Sequence, residues 1–454
     1  MKKNSRLGAL LLAIFMLLGS AACSGDSGEG TESTTAAPET TETVIEVTTE
    51  EPSVSVVAPP ETTTPETTAP ETEPPKAGEI LRIIMQNDKG EAIISAIAEE
   101  KYKSLLDARE KALLYDHSAE IELSKAENLA ATIEKQVLAG SGGYDLILTD
   151  PFDGIELLNS GLLENISGAG IGVTADDIGI NKSITESLTV GGGVYLFSTD
   201  ALISDITASY AIKYNGEVLS SDPIAKALAG EFTVDLMLTY IAETDAALSV
   251  GSYSPVTLFR GVGGSIFAKN DKDVPISAIT SGSIFSSAYN AAMKLYSGST
   301  EESAIFTLEK LSTLAVGEIY LPLPKLYSTL KYSTPIDQYS LSLFAAPKGV
   351  VSGSRLKNLV TALASCSNDY RDAVKAEIAK NGTEQSAQMI DIIEKGATLD
   401  LGILFGWGDI RDHIADGFNK SKSADDILAD RMTEMRNKAA ETAASILAGK
   451  LGIE

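Results

Sequence analysis

Short apolar runs alternate with stretches of helical spacing in the first part of the globular region. Ile80–Met85, Ile121–Leu123 and Tyr144–Leu148 read as buried strands. Amphipathic helical spacing fills the intervals at Gly90–Leu114 and Asn128–Leu138. Strand, helix, strand, helix, strand with short apolar strands predicts a parallel sheet covered on both faces, and hence an α/β fold.

The end of the chain has a different pattern. From Ser354 onward it is mostly helical in spacing, and the last predicted helix spans Ala424–Leu451. The globular region, residues 78–454, has 377 residues. That is too many for one simple core, so we expect two lobes.

The N-terminus has the three zones of an export signal. Lys2, Lys3 and Arg6 precede an apolar run of twelve residues, Leu7–Leu18, which is shorter than the roughly 20 residues that span a bilayer. Small residues then lead to Cys23. This segment resembles a lipobox, although Ser20 stands where Leu is usual. We predict a lipoprotein signal peptide over 1–22 and a diacylated Cys23; the alternative is an ordinary signal peptide with an incidental cysteine.

Residues 23–77 form a predicted tether after the signal. The segment is rich in Thr, Glu and Pro and has no aromatic residue, a composition typical of disorder. Its 54 residues after Cys23 would reach roughly 170 Å if extended. O-glycosylation of its Thr-Pro clusters is an open alternative use. Anchor and tether together predict a protein held at the outer face of the cell membrane, in a Gram-positive-type bacterium.

Charge and cysteine content narrow the classes of function. The chain has a net charge of −27, of which the globular region carries −19. Phosphate backbones would repel such a surface, so we expect no nucleic-acid partner. Once Cys23 is lipidated only Cys366 remains, so the fold has no disulfide and its core must stabilise it.

A succession of landmarks carries a family resemblance across the globular region. They are Tyr144–Leu148 (YDLIL), Gly161–Leu163 (GLL), Ser209–Asn215 (SYAIKYN), Gly230–Asp235 (GEFTVD), Leu323–Lys325 (LPK), Gln385–Glu394 (QSAQMIDIIE) and Asp400–Trp407 (DLGILFGW). In this order they resemble the extracellular solute-binding proteins of bacterial ABC importers, of the family 1 type, in a branch common in clostridia.

The resemblance implies a periplasmic-binding-protein-like fold of type II, with two α/β lobes that close on a ligand. It places 78–199 and 339–400 in lobe 1, 200–338 in lobe 2, and 401–454, mainly helical, chiefly in lobe 2. It implies ABC permease subunits as partners and a small solute as ligand, with a carbohydrate favoured. Fewer large rings than usual, including Phe232 where the family has Trp, make a long oligosaccharide a poor candidate.

Three candidate ligand-binding residues come from the later landmarks. Trp407, flanked by glycines, is a stacking platform for a sugar ring or a Trp that packs between the lobes. Asp409 would accept hydrogen bonds from ligand hydroxyls. Phe232 precedes a helix, where core packing is the favoured alternative.

Three further candidates come from strand ends and loops. Asp150 follows a predicted strand at the edge where α/β sheets bind ligands, and capping of the next turn is an equal alternative. Arg260 is a partner for a carboxylate ligand, with an internal ion pair favoured. Tyr195 is an aromatic candidate at a strand position, more often a core residue than a site residue.

The sequence offers little for catalysis. His117 and His413 are the only histidines, and neither has metal-ligand spacing to another soft ligand. Nucleophile elbows and phosphate-binding loops are missing from the sequence. We therefore predict a monomeric binding protein with no enzymatic activity, cofactor or metal. The alternative is a non-transport sensor or adhesion lipoprotein that uses the same fold.

Overall fold

A computed structural model of the chain describes residues 78–447, apart from 88, 141, 169, 175, 178–181, 217–218, 245–247, 252, 280–283, 298–303 and 350–351. The predicted signal peptide, the lipidation site Cys23 and the tether to residue 77 lie outside the described residues. Within the described part, no helix combines the length and the apolar character that a membrane span requires.

The strands, many of them short, are distributed along the whole described region. They are β1 (Glu79–Gln86), β2 (Ala119–Ala126), β3 (Leu146–Thr149), β4 (Leu196–Phe197), β5 (Tyr210–Tyr214), β6 (Leu248–Ser249), β7 (Phe267–Lys269), β8 (Pro275–Ser277), β9 (Phe306–Lys310), β10 (Ile319–Leu321), β11 (Thr334–Pro335), β12 (Leu343–Ala345) and β13 (Ala397–Thr398).

Helices separate most of these strands and fill the C-terminal part. They are α1 (Glu100–His117), α2 (Leu129–Ala139), α3 (Pro151–Asn159), α4 (Lys182–Leu188), α5 (Ser204–Thr207), α6 (Pro223–Leu228), α7 (Val234–Thr244), α8 (Pro255–Gly261), α9 (Ile284–Ser297), α10 (Gly353–Ser365), α11 (Asn368–Ala379), α12 (Ser386–Lys395), α13 (Leu401–Leu404), α14 (Ile410–Asn419) and α15 (Ala424–Leu447). Two 3₁₀ turns lie at Ser95–Ile97 and Trp407–Asp409.

The first lobe is built on a five-stranded sheet with the order β2-β1-β3-β12-β4. β1 is parallel to both β2 and β3, as the alternating pattern predicts. β12 and β4 are not parallel: β12 runs antiparallel to β3, with Phe344 opposite Leu148, and β4 runs antiparallel to β12. The predicted parallel arrangement of three strands is therefore confirmed, and β12 and β4 add two antiparallel pairings, because β12 enters the sheet from the other lobe rather than through a helical crossover.

The second lobe is built on a four-stranded sheet with the order β10-β5-β9-β6. β5 is the strand of the SYAIKYN landmark, and it is antiparallel to both β9 and β10. With two separate mixed sheets, each flanked by helices, the predicted two-lobed α/β fold class is confirmed.

Successive core residues of a strand point to opposite faces of its sheet. Along β1, Leu81, Ile83 and Met85 belong to one apolar cluster, while Ile84 points to the opposite face and joins another. A large third cluster fills the second lobe around Phe259. A fourth cluster joins α1, α11 and α12 behind the junction of the two sheets.

Two segments cross between the lobes, 198–209, which contains α5, and 336–342, which contains a turn. They pair with each other where Ser209 bridges Ile336, and Asp337 N donates to Ala208 O at 2.8 Å. The first of these crossing segments leads from β4 into β5, and the second leads from β11 into β12. Any space between the lobes is therefore bounded by these two segments.

Candidate functional site

Two neighbouring cavities lie at the crossing segments. The smaller, which we call the tyrosine cavity, has a volume of about 330 Å³ and is lined by Tyr210, Tyr253 and Tyr339 among others. The larger, which we call the charged cavity, has a volume of about 860 Å³ and is lined by Lys89, Asp150 and again Tyr339. Volumes of roughly 300 to 1,000 Å³ are usual for small-molecule sites.

The tyrosine cavity combines aromatic and polar walls. Tyr210 from β5 meets Tyr253 edge to face, with ring centroids 5.1 Å apart and planes at 73°. Ser254 and Thr398 contribute hydroxyls, and Gln338 contributes an amide. Apolar ring surface beside hydroxyl and amide groups is the chemistry that packs on a pyranose ring and hydrogen-bonds its hydroxyls.

Tyr339 separates the two cavities and contacts both lobes. It belongs to crossing segment 336–342 and its side chain is 67% exposed. Its ring stacks on Phe152 of α3, in the first lobe, with centroids 5.0 Å apart and planes at 28°. On the second-lobe side, Arg411 Nη1 donates to the Tyr339 hydroxyl at 2.6 Å. A molecule bound between the lobes would therefore contact Tyr339.

The charged cavity begins at the carboxyl ends of β1 and β3. Lys89, after β1, places Nζ 2.7 Å from Asp153 and 3.4 Å from Asp150. The hydrogen bond to Asp153 raises the pKa of Lys89, so the ammonium stays charged. The edge where an open α/β sheet binds ligands is therefore polar here, as the sequence predicts.

Hydrogen bonds hold the first crossing segment in place along residues 201–204. Glu91 accepts from Ile203 N at 2.9 Å and from Ser204 N at 2.8 Å. Arg109, buried in α1, donates to Ala201 O at 3.1 Å. These contacts fix residues 201–204 to the first lobe.

α11 holds the same segment from the other side. Arg371 Nη1 donates to Leu202 O at 2.5 Å and to Asp205 Oδ1 at 3.0 Å. The guanidinium also contacts Glu394, which is bonded in turn by Lys375 Nζ at 2.7 Å. Burial alone would raise the pKa of Glu394, but Arg371 and Lys375 more than offset burial, and its pKa lies below its ordinary value.

Trp407 does not face either cavity. Its side chain is only 2% exposed, it stacks on Phe405 at 6.1 Å, and its Nε1 donates to Thr442 Oγ1 at 3.2 Å. The ring is enclosed between the 3₁₀ turn and α15, so a ligand has no access to it. The prediction of a stacking platform is wrong, and the alternative of a packing Trp is correct.

Two other candidates from the later landmarks also lie away from the cavities. Asp409 is exposed and lines neither cavity; with Glu434 as the stronger contributor, it helps to raise the pKa of Arg431. Phe232 is fully buried in the second-lobe core, and its backbone N–H donates to the Tyr332 hydroxyl at 3.3 Å. Phe232 is therefore a core residue, as the favoured alternative held, and a ligand has no access to its ring. The role of Asp409 as an acceptor for ligand hydroxyls stays a prediction.

Asp150 has the capping role that the sequence left open, and it also lines the charged cavity, where contact with a ligand stays a prediction. Its Oδ1 accepts from Phe152 N and Asp153 N, both at 2.9 Å, and so caps α3. Its Oδ2 faces Lys89 at 3.4 Å in the wall of the charged cavity.

Arg260 lines the tyrosine cavity but its charge is already paired. Nη1 lies 3.1 Å from Asp400 Oδ2 and donates to Gly264 O at 2.7 Å, while Nη2 donates to Thr398 Oγ1 at 3.0 Å. The internal ion pair favoured from the sequence is present, and a contact between Arg260 and a ligand carboxylate stays a prediction.

Tyr195 also lies outside the two cavities. It is half-buried and its ring packs on Gly193, where a Cβ would come within 2.7 Å of the ring. Burial raises the pKa of its hydroxyl. The ring therefore supports the glycine turn rather than a ligand.

Sequence reasoning missed the aromatic residues that line the junction. Tyr210 lies inside the SYAIKYN landmark, but nothing in its local pattern distinguishes it from Tyr214. Tyr253, Tyr339 and Arg411 are far apart in the chain and meet only through the crossing segments. A polar run containing a tyrosine after Pro335 is the one local signal that marks a crossing segment.

No group of three or more potential metal-ligating side chains occurs within residues 78–447 as described. The histidines do not change this: His117 is exposed at the end of α1, and His413 Nε2 lies 3.5 Å from Asp430 on the outside of the second lobe.

Comparison with known proteins gives matches at the level of solved structures. No protein-family model matches the chain, and no curated protein matches it. An extracellular solute-binding protein family 1 structure from Alicyclobacillus acidocaldarius matches with a TM-score of 0.48 and 14% identity, covering 80% of this chain and 99% of that one. A cyclo/maltodextrin-binding protein complexed with maltotetraose matches with a TM-score of 0.49 and 14% identity, covering 79% and 97%.

A third match is the ABC transporter associated binding protein from B. animalis subsp. lactis Bl-04, in complex with beta-1,6-galactobiose. Its TM-score is 0.45 at 12% identity, and it covers 80% of this chain and 98% of that chain. All three of these solved structures are of binding proteins.

Proposed function

We propose that this chain is an extracellular solute-binding lipoprotein that captures a small solute, a carbohydrate in the first instance, between its two lobes. It delivers the solute to the permease subunits of an ABC importer. A lipid on Cys23 anchors it to the outer face of the membrane, and the segment to residue 77 spaces it from that surface.

The observation that carries the proposal is the position of Tyr339. This exposed ring lies between two cavities, stacks on Phe152 from the first lobe and is bonded by Arg411 from the second. A solute bound against Tyr339 would contact groups from both lobes. Such a solute binds the closed arrangement better than the open one, and so shifts the population towards closure.

The side-chain chemistry supports a carbohydrate. Tyr210 and Tyr253 offer aromatic edges and faces, and Ser254, Gln338 and Thr398 offer hydrogen-bonding groups within the same 330 Å³ space. A cavity of this size suits one or two sugar rings rather than a long chain.

Thermal unfolding with a solute panel tests the binding proposal. Sugars, amino acids and oligopeptides are each added to the protein from residue 24 onward. A ligand at 100 times its Kd should stabilise the protein by about 2.7 kcal/mol. The proposal is supported if a sugar stabilises the parent protein and Tyr115→Ala, on the outer surface of α1, but does not stabilise Tyr210→Ala. No shift with any sugar contradicts it.

Anchoring and delivery need their own tests. Cys23→Ala should release intact protein into the medium; a variant that stays membrane-bound contradicts the anchor. Deletion of the gene should abolish uptake of the radiolabelled solute identified above, and wild-type uptake in the deletion strain contradicts delivery to an importer.

A further inference from the structure

We infer that the tyrosine cavity selects a solute that carries a carboxylate, such as a uronic acid, over the corresponding neutral sugar. This inference rests on the proposed function, because it names the ligand class of the same site. The evidence for it is the charge of the side chains that line the tyrosine cavity.

Three charged side chains line the tyrosine cavity, and two are already neutralised. Arg260 is paired with Asp400 at 3.1 Å, and Asp337 is paired with Lys310 at 2.8 Å. Arg411 has no carboxylate oxygen within 4.0 Å in the part of the chain that the structure describes. The wall therefore presents one uncompensated positive charge.

An unpaired arginine in a cavity wall is notable in so acidic a chain. The sequence has 63 Asp and Glu residues against 36 Lys and Arg, so carboxylates are abundant. Arg82, Arg355 and Arg371 each have a carboxylate within 4.0 Å. Two other arginines also lack a carboxylate within 4.0 Å among the described residues. Arg109 is buried in α1, where it donates to Ala201 O, and Arg436 is exposed on α15, whereas Arg411 is half-buried in the cavity wall.

The contacts of Arg411 leave part of its guanidinium available. Nη1 donates to the Tyr339 hydroxyl, and the guanidinium carbon lies 5.2 Å from the centroid of that ring. No hydrogen bond from Nε or Nη2 to another described residue is present. Two donors with a fixed orientation form the planar fork that binds a carboxylate in bidentate fashion.

Arg411 lines the same cavity as Tyr210 and Tyr253. Burial and then Asp337 raise the pKa of Tyr210, and the positive charge of Arg411 opposes that rise. A ring packed on Tyr210 and Tyr253 can therefore extend a carboxylate towards Arg411.

Matched neutral and acidic sugars test the inference directly. Isothermal titration is carried out with glucose and glucuronate, galactose and galacturonate, and the corresponding disaccharides. The acidic member of at least one pair should bind about tenfold tighter or better, and added NaCl should reduce that preference.

Variants at Arg411 provide the second arm of the experiment. Arg411→Gln should remove the preference for the acid, and Arg411→Lys should keep part of it, because an ammonium has the charge without the fork. Arg436→Gln is the matched control and should leave the preference intact. An unchanged unfolding midpoint without ligand shows that each variant is folded.

The outcomes separate the two proposals. If neutral sugars bind but no acidic member binds tighter than its neutral counterpart, the inference is overturned and the sugar-binding function still stands. An acid preference that survives in Arg411→Gln also overturns it, since the selectivity then comes from another group. Failure of every pair to bind contradicts the carbohydrate function as well as this inference.

Discussion

The ring of Tyr339 stacks on the ring of Phe152 with 28° between their planes and 5.0 Å between their centroids. The two residues come from a crossing segment and from the first helix after β3, so this contact links the junction to the first lobe. It is an exposed contact, and its energy of about 0.5 to 1.5 kcal/mol is comparable to that of one ligand contact.

Tyr339→Ala should weaken ligand binding by about tenfold, because it removes a wall shared by both cavities. The exposed position means that the free energy of unfolding should change little. Titration of the ligand identified by thermal shift measures the change. Tyr115→Ala, on an equally exposed tyrosine of α1, is the control and should bind as the parent does. Equal affinities of the Tyr339 variant and the parent would remove Tyr339 from the site.

Trp407→Ala should lower the free energy of unfolding by about 3 to 5 kcal/mol, the usual cost of truncating a large buried ring. Thr442→Val removes the acceptor of its Nε1–H, together with the hydroxyl that donates to Lys438 O, and should cost about 1 kcal/mol. Urea unfolding measures both. A Trp407→Ala variant that is as stable as the parent but no longer binds ligand would restore Trp407 as a ligand contact.

Glu394→Gln should destabilise the protein by about 3 kcal/mol at pH 7, because it breaks a buried pair with Arg371. The folded pKa of Glu394 is below its ordinary value of 4.5, since Arg371 and Lys375 outweigh burial. Its contribution is therefore present above pH 4.5 and is lost as pH falls through the folded pKa. The difference in urea midpoint between parent and variant should shrink on acidification, whereas Glu384→Gln, at an exposed position, should show no difference at either pH. A gap that widens at low pH would contradict this sign.

Glu91→Ala should loosen the crossing segment that leads into β5. The variant leaves the N–H groups of Ile203 and Ser204 without their acceptor, at a cost of about 1 to 3 kcal/mol. Hydrogen exchange of a peptide that covers 200–207 should accelerate, and Glu120→Ala, on the exposed face of β2, should leave it unchanged. Unchanged protection in Glu91→Ala would mean that Arg109 and Arg371 suffice to hold the segment.

The predictable parts of the fold are those with local periodicity. β1, β2, β3 and α2 appear close to the predicted positions because apolar spacing and caps such as Asn128 are local signals. α1 begins at Glu100, ten residues later than predicted, because the preceding residues fold back and Glu110 accepts from Ser95 N. β4, β6, β11 and β13 have two residues each, too few for a pattern to exist.

The site was harder to predict than the fold for a related reason. Asp150 could be predicted as a candidate from the sequence because the end of a strand is a local feature. Tyr210, Tyr253, Tyr339 and Arg411 lie in four separate elements or loops, and only the crossing of the chain between its lobes brings them together. Trp407 was predicted as a stacking platform because glycines flank it in the sequence, whereas its ring packs closely against α13: a Cβ at Gly402 would come within 3.1 Å of the ring.

Tyr339 forms part of the wall of both the tyrosine cavity and the charged cavity. Two molecules bound in these cavities would therefore both contact the side chain of Tyr339. Each molecule would influence the orientation of that side chain, and so the wall of the other cavity. By thermodynamic linkage any such influence is reciprocal. If a salt or a small acid bound near Lys89 changed the affinity for the solute by some factor, the solute would change the affinity for that salt or acid by the same factor. The composition of the surrounding medium would then act directly on binding in the tyrosine cavity.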